Sequence, residues 1–558
     1  MTATSPELAV AIVEQLIGSG VRDVVLAPGS RSSPLALALA AAERASLLRL
    51  HVRIDERSAA YLAVGIARVA RRPCAVVTTS GTAAVNLHPA VVEAAYSGVP
   101  LVAVTADRPG SMRGSGANQT IDQRDLFGPD VVAAIDVEGM DSGSARAAVA
   151  RAIRAAVGAH PGPVHLNVPL TEPLVAPGAH GIDAAPVELP ARAAVEGDPL
   201  GSLLPDGVSS RRGLVVAGDF DDPHTLASAA DLADSLRWPL ISEPTGNLSD
   251  HPRALRHGPM LIPRALELGA TPDVVVTIGR VGLHRSVSAL LRAAQVHVAV
   301  DVPPLLGRVD PVRTATVIVP AVPVAGHDAD ADESWWSMWH DWDVCAARVI
   351  DEELADGPLT GPLVARIVSA VVTEADLLVT GPSWSVRHVS CYAGALKGRC
   401  VANRGTSGID GVISTAWGAA IGHADGLPGA TTYALVGDLT AIYDRNGLLV
   451  PQVEALPRLV YVVADNDGGG IFSSLEQGAE EFAADFERVF GTPLSADMAE
   501  LLCAPRIDVM TVDSADALRG ELRRDHAGVR VIVARCLPRT DEARLVSALT
   551  TSVDAAIT

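Results

Sequence analysis

Tyr433-Ala-Leu-Val-Gly-Asp-Leu-Thr440 and Leu459-Val-Tyr-Val-Val-Ala-Asp-Asn-Asp-Gly-Gly-Gly470 decide the fold. Each is a short apolar run that stops at Gly and Asp. That pattern predicts two buried parallel strands with a helix between them. Both polar ends then emerge at the carboxyl ends of their strands, where open α/β sheets bind ligands. Asp438 and Asn466 are 28 positions apart (466 − 438) and offer hard oxygen atoms to one cation. Mg²⁺ suits such a pair, because one or two protein oxygens usually hold it together with phosphates and water. Singly, each half reads as an ordinary strand-end turn. Together, at this separation, they are harder to dismiss.

Outward from this stretch, 558 residues are too many for one core. We expect three doubly wound α/β units, over residues 1–185, 186–350 and 351–558. In the first, a helix over Glu7 to Ile17 ends at Gly18 and Gly20, and a strand covers Asp23 to Leu26. The loop Ala27-Pro-Gly-Ser-Arg-Ser-Ser-Pro34 is expected to stay non-helical until after the second Pro. A strand over Arg49 to Ile54, a helix over Ser58 to Val69, and strands over Cys74 to Thr79 and Leu101 to Thr105 continue the alternation. Pro163 to Pro169 reads as the unit's closing strand. A Pro-, Ala- and Gly-rich linker spans 172–211, and a polar one 325–333. The middle unit shows strands at Gly213 to Gly218, Asp273 to Ile278 and Val296 to Asp301. It has no GxGxxG, so a dinucleotide is not expected there. Trp335, Trp336, Trp339 and Trp342 recur at helical spacing and read as a packed helix face rather than a ligand box.

Composition narrows the function. Charged residues are 20%, hydrophobic ones 48% and aromatics 3%, which is an ordered α/β composition. The net charge of −21 argues against nucleic acid, which requires a basic footprint. No apolar run reaches the length of a membrane span, and the N-terminus has no export signal. Six scattered cysteines without CxxC spacing fit a reduced, cytoplasmic setting. An anionic substrate would have to be captured by local arginines against this global field. Candidates stand in short Gly/Ser/Pro loops at expected strand ends: Ser30-Arg31, Arg108 in Thr105-Ala-Asp-Arg-Pro109, Gln119 in Gly116-Ala-Asn-Gln-Thr120, Arg387 after Gly381-Pro-Ser383, and Arg404 in Asn403-Arg-Gly-Thr-Ser-Gly-Ile-Asp-Gly411. Each alone is an ordinary surface cation or structural ion pair. Converging, their guanidinium forks would bind carboxylates.

The paired motif resembles that of the thiamine-diphosphate enzymes, with Leu439 in place of a second Gly and Asp465 in place of a first Asn. The segments PGSRSSPL, DERSAA, TSGTAAVNLHPAVVEA, TADRP, GANQTIDQ, NRGTSGIDG, VGDLTAIYD and DNDGGGIFSSLEQ resemble, within that group, the carboligases of menaquinone biosynthesis that join 2-oxoglutarate to isochorismate. The resemblance implies thiamine diphosphate and Mg²⁺ (Mn²⁺ as an alternative) as cofactors, the metal being held by Asp438, Asn466 and the Gly468 carbonyl. It implies that Glu56, otherwise an ordinary helix N-terminal acid, activates the cofactor's pyrimidine. It places Ser383, Ser407, Ile409, Gly437, Leu439, Thr440, Ile471 and Phe472 around the cofactor, Ile409 as the wedge beneath it. Gln119, Ser383, Arg387 and Arg404 would orient the substrates, and Ile471, Phe472 and Leu475 would wall them. Ser30, Arg31 and Arg108 would recognise the second substrate's carboxylates, with Arg285 a further cation from the middle unit. Glu56 and the diphosphate site would lie on different subunits, so a homodimer is implied at the least, with a homotetramer the expected assembly. An acetohydroxyacid synthase or another 2-oxo acid decarboxylase is the alternative within the same group.

Overall fold

The computed structural model describes residues 3–176, 181–190, 193–302, 309–326, 332–355 and 357–558. Parts of both expected linkers lie outside the described residues. Three parallel sheets follow one another along the chain. The first contains β1 (Asp23–Leu26), β2 (Arg49–Val52), β3 (Cys74–Thr78), β4 (Leu101–Asp107), β5 (Ala133–Asp136) and β6 (Val164–Pro169), ordered β2-β1-β3-β4-β6-β5. The second holds β7 (Gly213–Ala217), β8 (Leu240–Ser242), β9 (Val274–Ile278), β10 (Val296–Val300) and β11 (Val317–Val319), ordered β11-β10-β9-β7-β8. The third holds β12 (Leu377–Thr380), β13 (Arg399–Ala402), β14 (Thr432–Gly437), β15 (Leu459–Asp465), β16 (Asp508–Val512) and β17 (Val529–Arg535), ordered β13-β12-β14-β15-β17-β16. The first and third sheets therefore share one strand permutation, as expected of related units.

Burial explains which strands were easy to read. β1, β3 and β4 are buried along their whole length and appear in the sequence as continuous apolar runs. The edge strands β2 and β5 are largely half-exposed, so β5 gave no periodic signal. β6 is the last strand of its unit along the chain, but it pairs between β4 and β5 rather than closing the sheet. The loop after β1 is shorter than expected. The helix Ser33–Arg44 starts before Pro34, because a proline in the first turn needs no N–H partner. The helix after β2 likewise begins at Glu56, since the Asp55 carboxylate accepts the Ser58 N–H at 3.0 Å and caps it.

The tryptophan helix, Glu333–Glu353, buries all four indoles. They pack against Leu261 of the middle unit, Leu549 and Val553 of the C-terminal helix Arg539–Ala556, and Ile557 just beyond it. The first and third units meet where Glu56–Ala70 crosses Val412–Gly426. A Cβ at Gly65 would overlap the Thr415 carbonyl, and one at Gly418 would overlap the Leu62 carbonyl. The two backbones thus touch, which only glycine permits. Among the described residues, no helix is long and apolar enough to cross a membrane.

Candidate active site

β14 and β15 pair in register, with Gly437 opposite Ala464. The two strands therefore end level, and Asp438 leaves the sheet beside Asp465 and Asn466. Asp438 starts the helix Asp438–Tyr443 and is only 3% exposed. Its carboxylate accepts the Leu439 N–H at 2.6 Å and the Gly468 N–H at 2.7 Å. Burial, with the Asp465 carboxylate adding to it, pushes this carboxyl up to about 6 against those two hydrogen bonds. The amide of Gly468, not its carbonyl, faces Asp438 here; the carbonyl receives the Gly470 N–H at 2.9 Å. Behind Asn466, its Nδ2 donates to Glu542 Oε2 at 2.7 Å. Glu542 is also buried, and burial raises it to about 7. Two buried carboxyls raised together mark a place that a divalent cation would stabilise. Among the described residues no three His, Cys, Asp or Glu side chains form a metal cluster. A cation here would share its shell between one carboxylate, one carboxamide and a ligand's own oxygens.

A cavity of about 440 Å³ opens from these strand ends, well within the size range of cofactor sites. Ser383, Arg387, Arg404, Ser407, Ile409, Gly437, Asp438, Leu439, Thr440, Asn466, Gly468, Ile471, Phe472 and Leu475, all read as site residues from the sequence, line it together. Ser383 holds φ at +66°, a strained value for a residue with a Cβ, immediately before the helix Trp384–Tyr392. That turn lets the Ser383 carbonyl accept from Arg387 Nη1 at 2.7 Å. Arg404 Nη1 donates to Ser407 Oγ at 3.1 Å. The cavity is cationic by guanidinium alone. Burial and the neighbouring arginines drive His284 and His388 down to about 3, so both imidazoles are neutral. Burial, with Arg404 contributing, also lowers Arg387.

None of the described residues of the first unit lines this cavity within one chain. That unit's candidates gather instead at the carboxyl ends of their own sheet. Arg108 is 8% exposed and donates to Ser80 Oγ and, at 2.6 Å, to the Gln119 carbonyl. Gln119 itself is exposed at φ +56°, its side chain turned onto the Ser80 carbonyl at 2.9 Å. Arg31 holds the Leu170 carbonyl at 2.9 Å and lies near enough to Arg108 to depress it after burial has done so. Ser30 is exposed at the loop's tip. Glu56 is half-buried in the first turn of its helix. Arg285 is exposed at the start of Arg285–Ala293 and does not line the cavity.

Three residues escaped sequence reasoning. Gly282 brings the middle unit to the cavity wall. Behind it, the buried Glu243 accepts the Gly282 and Leu283 N–H groups at 3.0 and 2.9 Å and stands 3.9 Å from Arg404. Glu542 reaches in from the far C-terminus. Neither glutamate sits in a motif, so only the tertiary fold reveals them.

Residues 6–126 match the family described as "Thiamine pyrophosphate enzyme, N-terminal TPP binding domain". Over nearly the whole chain there are closer relatives, each named 2-succinyl-5-enolpyruvyl-6-hydroxy-3-cyclohexene-1-carboxylate synthase. The protein from Thermobifida fusca is 42% identical over 566 residues, covering 99% of both chains. The one from Nocardia farcinica is 42% identical, covering 93% of this chain and 94% of its own. The one from Mycobacterium marinum is 40% identical with the same coverage. On that likeness, and with a site built at the predicted strand ends, the chain belongs to the 2-succinyl-5-enolpyruvyl-6-hydroxy-3-cyclohexene-1-carboxylate synthase family of thiamine-diphosphate enzymes.

Proposed function

We propose that the protein decarboxylates 2-oxoglutarate and joins the remaining four-carbon unit to isochorismate by conjugate addition. The product is 2-succinyl-5-enolpyruvyl-6-hydroxy-3-cyclohexene-1-carboxylate, formed on the route to menaquinone in the cytoplasm. The reading is carried by one arrangement: an under-compensated buried carboxylate, Asp438, opens into the same cavity as Arg387 and Arg404. Asp438 and Asn466 would hold Mg²⁺, joined by the Gly468 carbonyl once it turns from the Gly470 N–H. Thiamine diphosphate, when bound, supplies the electron sink. Ser383, Ser407, Gly437, Leu439 and Thr440 would cradle it, with Ile409 against its rings. Arg387 and Arg404 bind substrate carboxylates, and two buried guanidinium groups against the one Glu243 carboxylate penalise substrates that lack a second carboxylate. Ile471, Phe472 and Leu475 keep water from the reacting centre.

Glu56 and the cluster of Ser30, Arg31, Arg108 and Gln119 would complete the site from a second copy of the chain. The support is that, among the described residues, none of the first unit lines the cavity of its own chain. Apolar side chains also stand bare around Glu56: Ile54 is 73% exposed, Tyr443 52% and Val453 94%. Arg57 lies over the Tyr443 ring at 4.9 Å, and Val52 N–H reaches Glu454 at 3.2 Å, so these residues form one face. The test supplies 2-oxoglutarate and isochorismate and follows isochorismate absorbance. It should fall only with thiamine diphosphate and Mg²⁺ both present; no fall, or a fall without the cofactor, overturns the reading.

A further inference from the structure

We propose that Glu542 is the positioning residue for the metal site, fixing which end of the Asn466 carboxamide faces the cation. The inference rests on the reading of Asn466 as a metal ligand given above. An asparagine side chain has an oxygen that can bind a cation and a nitrogen that cannot, and the two ends are nearly identical in shape. Something must therefore decide between them. Glu542 is fully buried, and Asn466 Nδ2 donates to its Oε2 at 2.7 Å. Both Glu542 oxygens act as acceptors, Oε1 for the Gly361 N–H and Oε2 for Asn466 Nδ2, so the amide nitrogen is drawn to Glu542. Oδ1 is thereby left for the side facing Asp438 and the cavity.

The rest of the contact keeps Glu542 from yielding. Its other oxygen accepts the Gly361 N–H at the start of the helix Gly361–Val371. A Cβ at Gly361 would overlap that oxygen and the His388 ring, so the glycine makes room for the carboxylate. The same turn of the C-terminal helix grips the Asn466 backbone. Arg539 N–H donates to the Asn466 carbonyl at 3.2 Å, and Arg539 Nη1 donates to the Asp467 carbonyl. Side chain and backbone of the ligand loop are thus set from one element, 76 residues away in sequence.

The experiment titrates Mg²⁺ by calorimetry at saturating thiamine diphosphate, with urea unfolding of the cofactor-free protein as the control for folding. Glu542→Gln keeps the shape but adds a donor, so either Gly361 N–H or Asn466 Nδ2 loses its acceptor and the carboxamide is driven to turn. Mg²⁺ affinity should fall about 10- to 100-fold, the range seen when second partners of metal ligands are removed, while the urea midpoint moves little. Asn466→Asp alone sets two carboxylates against each other and should also bind poorly. The double variant Asn466→Asp with Glu542→Gln restores donor to acceptor and should bind Mg²⁺ more tightly than either single change. Unchanged affinity in Glu542→Gln, or no recovery in the double variant relative to Asn466→Asp, overturns the inference. If Glu542→Gln does not fold, the comparison of Asn466→Asp with the double variant decides alone. Failure of the wild-type protein to bind Mg²⁺ with the cofactor, or equal binding by Asp438→Ala, would instead overturn the parent reading of the site.

Discussion

Asp438 shows how much a single side chain can reveal and how much it hides. Its position at the end of an apolar run was legible, because a buried strand and its polar stop are both written locally. Asn466 was legible for the same reason. Glu542 was not, since a glutamate in the first turn of a helix looks like any acid favoured by the helix dipole. Arg285 marks the opposite limit: a basic residue near the right loop says nothing about which way the loop turns, and it stands exposed outside the cavity. Asp438→Asn should preserve the fold at some cost in stability, because its single oxygen keeps one of the two peptide N–H groups that the carboxylate accepts on separate oxygens. It should abolish Mg²⁺-dependent binding of thiamine diphosphate up to millimolar metal, as read by calorimetry; binding at the wild-type level would remove Asp438 from the metal shell. Arg387→Ala and Arg404→Ala should each raise the apparent KM for 2-oxoglutarate by roughly 30-fold, the ratio matching about 2 kcal/mol for a buried charge pair. Steady-state kinetics beside a thermal melt separates this from mere destabilisation.

Among elements, the helices Glu56–Ala70 and Val412–Gly426 join the units, and Asp444 pins their ends. It is fully buried, accepting Ser58 Oγ at 3.0 Å and Ser414 N–H at 2.7 Å, with Arg57 at 3.7 Å. Burial pushes its carboxyl up to about 7 despite these partners. The folded carboxyl thus titrates above the unfolded one, and between about pH 4 and 7 the folded chain binds the extra proton. Stability from this group is therefore greatest in acid and is lost as pH rises through that window. Asp444→Asn can accept from Ser414 and donate to Ser58 while staying neutral. Between pH 5 and 8 it should gain on wild type by about 2 kcal/mol, measured by urea unfolding; parallel pH profiles would refute the assignment. The helix Glu56–Ala70 was readable from sequence to within a turn. Its crossing with Val412–Gly426 was not, because a glycine inside a helix gives no hint of what presses against it.

At the scale of the molecule, the shared strand permutation of the first and third sheets makes the chain a duplicated plan with a third unit between the copies. One copy carries the strand ends proposed to hold the metal and the other carries Glu56, and the sequence could show both sets but not whether they meet. Co-expressing Glu56→Gln and Asp438→Ala chains tests the meeting across subunits. Random pairing makes half the dimers mixed, each with one intact site of two, so about a quarter of wild-type activity should return from two inactive parents. A mixture as dead as its parents would mean that both residues must come from the same chain. The backbone contact that Gly65 and Gly418 allow between the joining helices has a further result. The exposed stretch 185–188 tethers two bodies already bound face to face. A protease site engineered there should yield fragments that travel as one particle on a sizing column and unfold in one transition. The protein could then be made from two separate genes, its halves finding each other without a peptide bond between them.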